Sequence, residues 1–243
     1  MRKDGRGAGE LRPVELILDF TENPLGSVLS CIGRTKVLCT VCEERNVPRW
    51  RQGSGLGWVT AEYSMLPGST DRRSEREASR GRLSGRTQEI QRLIGRSLRA
   101  VTDLRLLGER TLWVDCDVLQ ADGGTRSAAI TGAYISLALA CRRLVANGEI
   151  ARDPLRDSVA AISVGVVDGE IVMDLAYEED ASAEVDMNVV ATGAGRLVEV
   201  QGTGEQATFS APQLAELTAL SLGGISELTK LQTQALASAE KAS

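Results

Sequence analysis

The chain contains no histidine among its 243 residues. That absence excludes Ser-His-Asp and Cys-His nucleophiles and every His-ligated metal site. Catalysis, if any, must rest on carboxylates, arginines, hydroxyls, backbone amides or a bound cation. Aromatic residues are scarce: three Trp, three Tyr and two Phe, with no aromatic strand motif of the kind that stacks RNA bases, so binding by stacking on a sheet is not expected. No run of about 18 apolar residues is present, so no membrane span is expected. The first 13 residues are charged and contain no apolar stretch of signal-peptide type, which makes a cytoplasmic location the expectation. The five cysteines are odd in number and lie in apolar segments, as reduced core thiols do.

What is present is a 42% hydrophobic chain, enough for one sizeable core. Its net charge of −5 is unevenly spread. Residues 1–110 carry 20 Lys/Arg against 14 Asp/Glu, whereas residues 111–243 carry 8 against 19. A basic half can grip phosphates while an acidic half holds a cation. Arginines number 24 against four lysines. Genome base composition explains such a bias, and so does bidentate phosphate recognition, which Arg performs better than Lys.

The periodicities describe a mixed α+β chain. Strands are expected over Val14–Phe20, Ser27–Ile32, Lys36–Cys42 and Trp58–Met65, with turn residues between them. Residues 67–85 read as a long polar loop or frayed helix, and 87–101 as an amphipathic helix with Ile90, Leu93, Ile94, Leu98 and Val101 on one face. Leu112–Leu119 alternates as a half-buried strand does, and an Ala/Leu-rich helix follows over Ser127–Val145. Two hairpins are expected, Ser158–Val167 with Ile171–Tyr177 and Val185–Ala191 with Arg196–Gln201, then a helix from Pro212 to Leu236. The pattern is roughly a four-strand-and-helix unit stated twice, in a single domain over 1–236 with a disordered tail at 237–243.

Five constellations could carry chemistry. Cys39 and Cys42 have redox spacing, but residues three apart on a strand point to opposite faces. Gly53, Gly55 and Gly57 resemble a dinucleotide fingerprint whose last position should be glycine and is Trp58. Asp122-Gly123-Gly124-Thr125-Arg126-Ser127 lies between a strand and a helix. Its glycines can turn amides toward an anion at the helix N-terminus, or Thr125 or Ser127 simply caps the turn. Glu178, Glu179, Asp180, Glu184 and Asp186 cluster between two strands, as a cation site or a solvated acidic loop. On a strand, Glu184, Asp186 and Asn188 would share a face. Arg72, Arg73, Arg76, Arg80, Arg82 and Arg86 form a polyanion grip or a solvated charged loop.

Several segments taken together resemble the ribonuclease PH family. They are Arg2-Lys3-Asp4-Gly5-Arg6, Gly57 to Tyr63, Gly85 to Ile94, Asp115 to Arg126, Asp186 to Val190 and Val200 to Thr203, in the family's order over residues 2–230. The resemblance implies an α+β fold related to the ribosomal protein S5 domain 2-like fold and to each half of polynucleotide phosphorylase, with mixed sheets packed by helices. It implies a phosphorolytic exoribonuclease that trims tRNA precursor 3′ ends, taking inorganic phosphate as co-substrate and releasing nucleoside diphosphates, with nucleotide addition as the reverse reaction. Arg86, Gly124, Thr125 and Arg126 match the family's phosphate pocket. Asp180 and Asp186 match its catalytic carboxylates, which hold Mg²⁺ or Mn²⁺ or assist proton transfer. The resemblance further implies a homohexamer, a trimer of dimers. The arginine-dense loop at Arg72, Arg73 and Arg76 would bind the RNA body. A non-catalytic RNA-binding ring subunit is the alternative, and the presence of Arg86, Arg126, Asp180 and Asp186 speaks against it.

Overall fold

A computed structural model describes residues 2–242. Strands β1 (Val14–Leu18), β2 (Gly26–Ile32) and β3 (Thr35–Glu44) form an antiparallel meander. β4 (Trp58–Met65) leads through the single turn α1 (Glu77–Arg80), α2 (Gly85–Ala100) and the short α3 (Leu104–Leu107) into β5 (Thr111–Gln120), which runs parallel to β4 and antiparallel to β3. The first sheet thus has five strands in the order β1-β2-β3-β5-β4. After α4 (Thr125–Ala146) come β6 (Val159–Val167), β7 (Glu170–Met173), α5 (Tyr177–Ser182), β8 (Val185–Thr192) and β9 (Leu197–Gly204), which make a four-stranded antiparallel sheet in the order β7-β6-β8-β9. α6 (Ala211–Ala242) packs on this second sheet. The expected repeat of a sheet-and-helix unit is present, with five strands rather than four in the first half.

The alternation in β5 does what period-2 hydrophobicity dictates: Leu112, Val114, Cys116 and Val118 are buried, while Trp113 faces outward. α2 shows the matching 3.6-residue pattern, with Ile90, Leu93, Ile94 and Leu98 buried. α4 is different, being buried nearly all round because it packs against β2 and β3 on one side and β6 on the other. It is long and apolar enough to cross a bilayer, with 83% of its most apolar 18-residue window buried inside the protein. That is the signature of a core helix between two layers. One hydrophobic cluster accordingly runs through both sheets.

Two expectations differ from the structure, and a third is met. The second arm of the first hairpin ends at Met173, and Tyr177, expected in that strand, instead opens α5. The last helix does not stop at Leu236: residues 237–242, expected as part of a disordered tail, continue it, because alanines favour the helix; Ser243 lies outside the described residues. Cys39 is buried and Cys42 exposed, so the pair spans the two faces of β3 as its spacing dictates.

Candidate active site

Two helices begin at the same place. The N-cap of α2 is Ser84, whose hydroxyl accepts from Thr87 N–H at 3.1 Å, and Arg86 follows in the first turn, exposed. The N-cap of α4 is Gly124, in a left-handed conformation with φ 62°, and no side chain caps the helix. The capped-turn alternative for Thr125 and Ser127 therefore fails, and the first amides of α4 have no side-chain acceptor. A helix N-terminus in this condition favours an anion. Gly123 must be glycine on two counts: its φ is 75°, and a Cβ there would meet the Leu175 carbonyl oxygen at 2.6 Å.

Thr125 is buried, and its Oγ1 accepts from the Tyr63 hydroxyl at 2.8 Å. Arg126 is aimed by β9 and α2 together. Its Nη1 donates to Gln201 Oε1 at 2.7 Å and lies 3.4 Å from Glu89 Oε1, which itself accepts from Gln201 Nε2 at 3.0 Å. A guanidinium held by neutral and half-paired acceptors keeps other N–H groups available.

The structure sorts the acidic cluster. Glu178 pairs with Lys3 at 2.5 Å on the surface. Glu179 turns back to Arg2 at 2.6 Å and to the Ala176 N–H at 2.9 Å. Burial pushes Glu179 up, yet those bonds and the charges of Arg2 and Arg6 hold it below the usual carboxylate range. Glu184 precedes β8 and does not join Asp186 and Asn188 as expected, because its Oε1 accepts from Gly169 N–H at the hairpin turn at 2.9 Å. Asp180 and Asp186 are left. Asp180 is open to solvent on one side, yet the protein around it strips away enough water to raise its carboxyl, with Glu205 adding to this, against the lowering charges of Arg86, Arg126 and Arg12. Asp186 is pushed up to about 6, by burial and then by Asp180, with Arg126 and Arg86 opposing. Its Oδ1 is buried and has no hydrogen-bond partner among the described residues.

These two acids fit a divalent cation: they repel each other, and one oxygen lacks a partner. No group of three or more His, Cys, Asp or Glu side chains is arranged to hold a metal among the described residues. A hard cation here would complete its shell with water and substrate phosphate oxygens, which is how Mg²⁺ commonly binds. Arg86 and Arg126 act on both acids and also on buried Tyr63. The five residues expected at the phosphate pocket and carboxylate pair whose side chains carry chemistry (Arg86, Thr125, Arg126, Asp180, Asp186) thus gather with Gly124 around the starts of α2 and α4.

Arg72, Arg73 and Arg76 lie on the exposed loop before α1, and no ion-pair partner faces them among the described residues. The loop's root is tied to the site: Ala121 N–H, just ahead of the glycine turn, donates to the Ser69 carbonyl at 2.8 Å. Arg12 and Asp174 were not legible as site residues. Arg12 Nη2 lies 2.7 Å from Asp174 Oδ1, and both side chains are nearly fully buried. Only the opening Arg2-Lys3-Asp4-Gly5-Arg6 block hinted that the N-terminal segment matters.

The pattern of the 3′ exoribonuclease family, domain 1, matches residues 10–143, and that of the family's domain 2 matches residues 157–224. The chain is 62% identical over 237 residues to ribonuclease PH of Mycobacterium bovis, covering 97% of this chain and 92% of that one. It is 61% identical to ribonuclease PH of Mycobacterium ulcerans over the same shares. Among solved structures, rice Rrp46 superposes with a TM-score of 0.79 at 20% identity, over 97% of this chain and 99% of that one. A chain of the Archaeoglobus fulgidus exosome with RNA bound to the active site superposes with a TM-score of 0.80 at 21% identity, over 94% and 91%. By sequence along nearly its whole length, and by fold, the chain belongs to the ribonuclease PH family of 3′ exoribonucleases.

Proposed function

We propose that this protein is a phosphorolytic 3′-to-5′ exoribonuclease that trims the 3′ ends of tRNA precursors. The observation that carries the reading is the convergence of two uncompensated acids, Asp180 and Asp186, with two arginines that open two different helices. An oxygen of inorganic phosphate attacks the terminal phosphodiester, the bond from phosphorus to the 3′ oxygen breaks, and a nucleoside diphosphate leaves. The shortened RNA keeps that oxygen as its new 3′ hydroxyl, which takes up a proton.

Two anions must meet for this, so the site has to supply positive charge and alignment rather than a covalent nucleophile. Arg86, Arg126 and the first amides of α4 hold the attacking phosphate, and Thr125 orients it. Asp180 and Asp186 take one of two tasks: they assist proton transfer to the departing 3′ oxygen, or they hold a cation beside it. Asp180 and Asp186 would hold the cation, Mg²⁺ or Mn²⁺, which would neutralise charge on the scissile phosphate. Arg72, Arg73 and Arg76 grip the RNA body upstream. Nucleotide addition from diphosphates is the same path reversed.

The family resemblance further supports a ring of six chains, a trimer of dimers. Light scattering should then give a mass near six times 25.9 kDa; a clean monomer at micromolar concentration removes the ring. The activity is tested by incubating protein, RNA and Mg²⁺ with and without inorganic phosphate. Nucleoside diphosphates should form only with phosphate. Monophosphates, or no products, would overturn the reading.

A further inference from the structure

α5 carries Asp180 but has little reason to sit still. It is six residues long, none of them buried, and its first residue Tyr177 is 62% exposed. An isolated helix this short is unstable in water, and the usual remedy of burying an apolar face is slight here: α5 only touches β6 and, at its start, Gly123. What holds it comes from the other end of the chain. Arg2 grips both oxygens of Glu179 at 2.6 Å and reaches the carbonyls of Met173 at 2.8 Å and Asp174 at 3.0 Å. Arg6 donates to the Asp174 carbonyl at 3.1 Å and lies 3.5 Å from Glu179. Arg12 donates to Asp174 Oδ2 through its backbone N–H at 2.7 Å and through Nε at 3.0 Å, and to Oδ1 through Nη2 at 2.7 Å.

Arg12 has one further donor, and it points to the phosphate turn. Nη1 meets the Asp122 carbonyl at 2.5 Å, and Nη2 lies where a Cβ on Gly124 would come within 3.0 Å. A continuous path of charge-assisted bonds therefore runs from Asp122 through Arg12, Asp174, Arg2 and Arg6 to Glu179, next to Asp180. Asp174 itself sits at φ 53°, in the left-handed region that aspartate enters more readily than most residues, and the bonds from Arg2, Arg6 and Arg12 hold it there. Buried ion pairs are weak stabilisers compared with apolar packing, so a fold that keeps several of them in one path gains geometry more than stability.

We propose that Arg2, Arg6 and Arg12, with Asp174 and Glu179, form a brace that fixes the carboxylate helix relative to the phosphate turn, making them positioning residues for phosphorolysis. The proposal rests on the reading of Asp180 as a catalytic carboxylate. Residues of this kind, one bond removed from the chemistry, commonly control metal affinity or activity by about 10- to 100-fold.

The test uses the full-length enzyme in single-turnover phosphorolysis of RNA, titrated with phosphate and with Mg²⁺, alongside thermal melts. Glu179→Gln should lower kcat by about 10- to 100-fold and raise the half-saturating Mg²⁺ concentration, with little change in phosphate KM. Arg12→Lys loses the bidentate fork, so it should lower kcat and raise phosphate KM together, each by about tenfold or more. In an Asp180→Asn background, Glu179→Gln should add no further loss, because the group it positions is gone. Should Arg12→Lys fail to fold, Arg2→Gln, at a less enclosed pair, serves beside Glu179→Gln. Full kcat in the brace variants with an inactive Asp180→Asn enzyme overturns the brace alone, as does a loss that adds in full to that of Asp180→Asn. Full kcat in Asp180→Asn itself removes the reading on which the brace rests.

Discussion

The Tyr63 hydroxyl donates to Thr125 Oγ1 at 2.8 Å, so a strand of the first sheet holds the first residue of α4 in place. With that bond made, the Thr125 hydroxyl proton is directed away from Tyr63 and is free for another acceptor. Tyr63→Phe removes the donor and frees the Thr125 hydroxyl to rotate. Phosphate KM should rise by about 3- to 10-fold, the loss of one neutral hydrogen bond. Steady-state phosphate titration checks it, and an unchanged KM would mean that Thr125 does not touch phosphate.

Arg126→Ala should raise phosphate KM by roughly 10- to 100-fold, as expected for a charge-assisted donor. Its removal also leaves Gln201 and Glu89 facing each other without the guanidinium between them. RNA affinity without phosphate should hardly change. A variant with normal phosphate KM places the pocket elsewhere.

Asp180→Asn and Asp186→Asn should each lower kcat at least about a hundredfold, close to 3 kcal/mol of transition-state stabilisation. RNA binding should be unchanged or slightly tighter, because a negative charge near the backbone is gone. Glu178→Gln should be nearly silent, since its pair with Lys3 is exposed on both sides. Single-turnover phosphorolysis at saturating RNA and phosphate separates the two classes. Normal kcat and normal Mg²⁺ dependence in Asp186→Asn would move the chemistry away from this pair.

The same pair makes stability depend on pH. Asp186 is raised to about 6 in the fold by burial and by Asp180, so the folded state favours its protonated form. The stability this gives is full below the ordinary carboxylate value near 3.9 and is lost as pH rises through about 6. In chelator, Tm should therefore fall from about pH 4 to pH 7, and Mg²⁺ should restore it at pH 7 by mass action. Asp186→Asn cannot ionise there and should flatten both responses. Melting curves indifferent to Mg²⁺ at pH 7 would argue against a cation between the two acids.

Replacing Arg72, Arg73 and Arg76 together should weaken tRNA binding and reduce the slope of log affinity against log salt by about one unit, or slightly less, per lost phosphate contact. A very short oligonucleotide, unable to reach the loop, should be turned over nearly as before. Equal losses on both substrates would end the idea of a remote grip.

Much of this was legible in the sequence because its cause is local. The alternation of Leu112, Val114, Cys116 and Val118 is a strand with one wet face, whatever surrounds it, and Gly123-Gly124 ahead of an apolar helix is a turn that only those residues can make. α5 was not legible. Tyr177 to Ser182 has too few residues and no apolar stripe, and it exists through ion pairs with residues more than 170 positions away. Glu184 was placed on the Asp186 face by strand periodicity, but it lies one residue outside β8, where the hairpin amide at Gly169 captures it. Arg12 and Asp174 carry no spacing signal, since their meaning is the contact itself.

α4 begins at the proposed phosphate site and then runs between the two sheets, nearly every residue of it enclosed. Its first turn consequently cannot shift without the core shifting, and the ordering of those amides is completed when the chain folds. Phosphate should therefore meet amides that are already in place. Its association should be a single kinetic step, with an observed rate that climbs in proportion to phosphate concentration and shows no plateau.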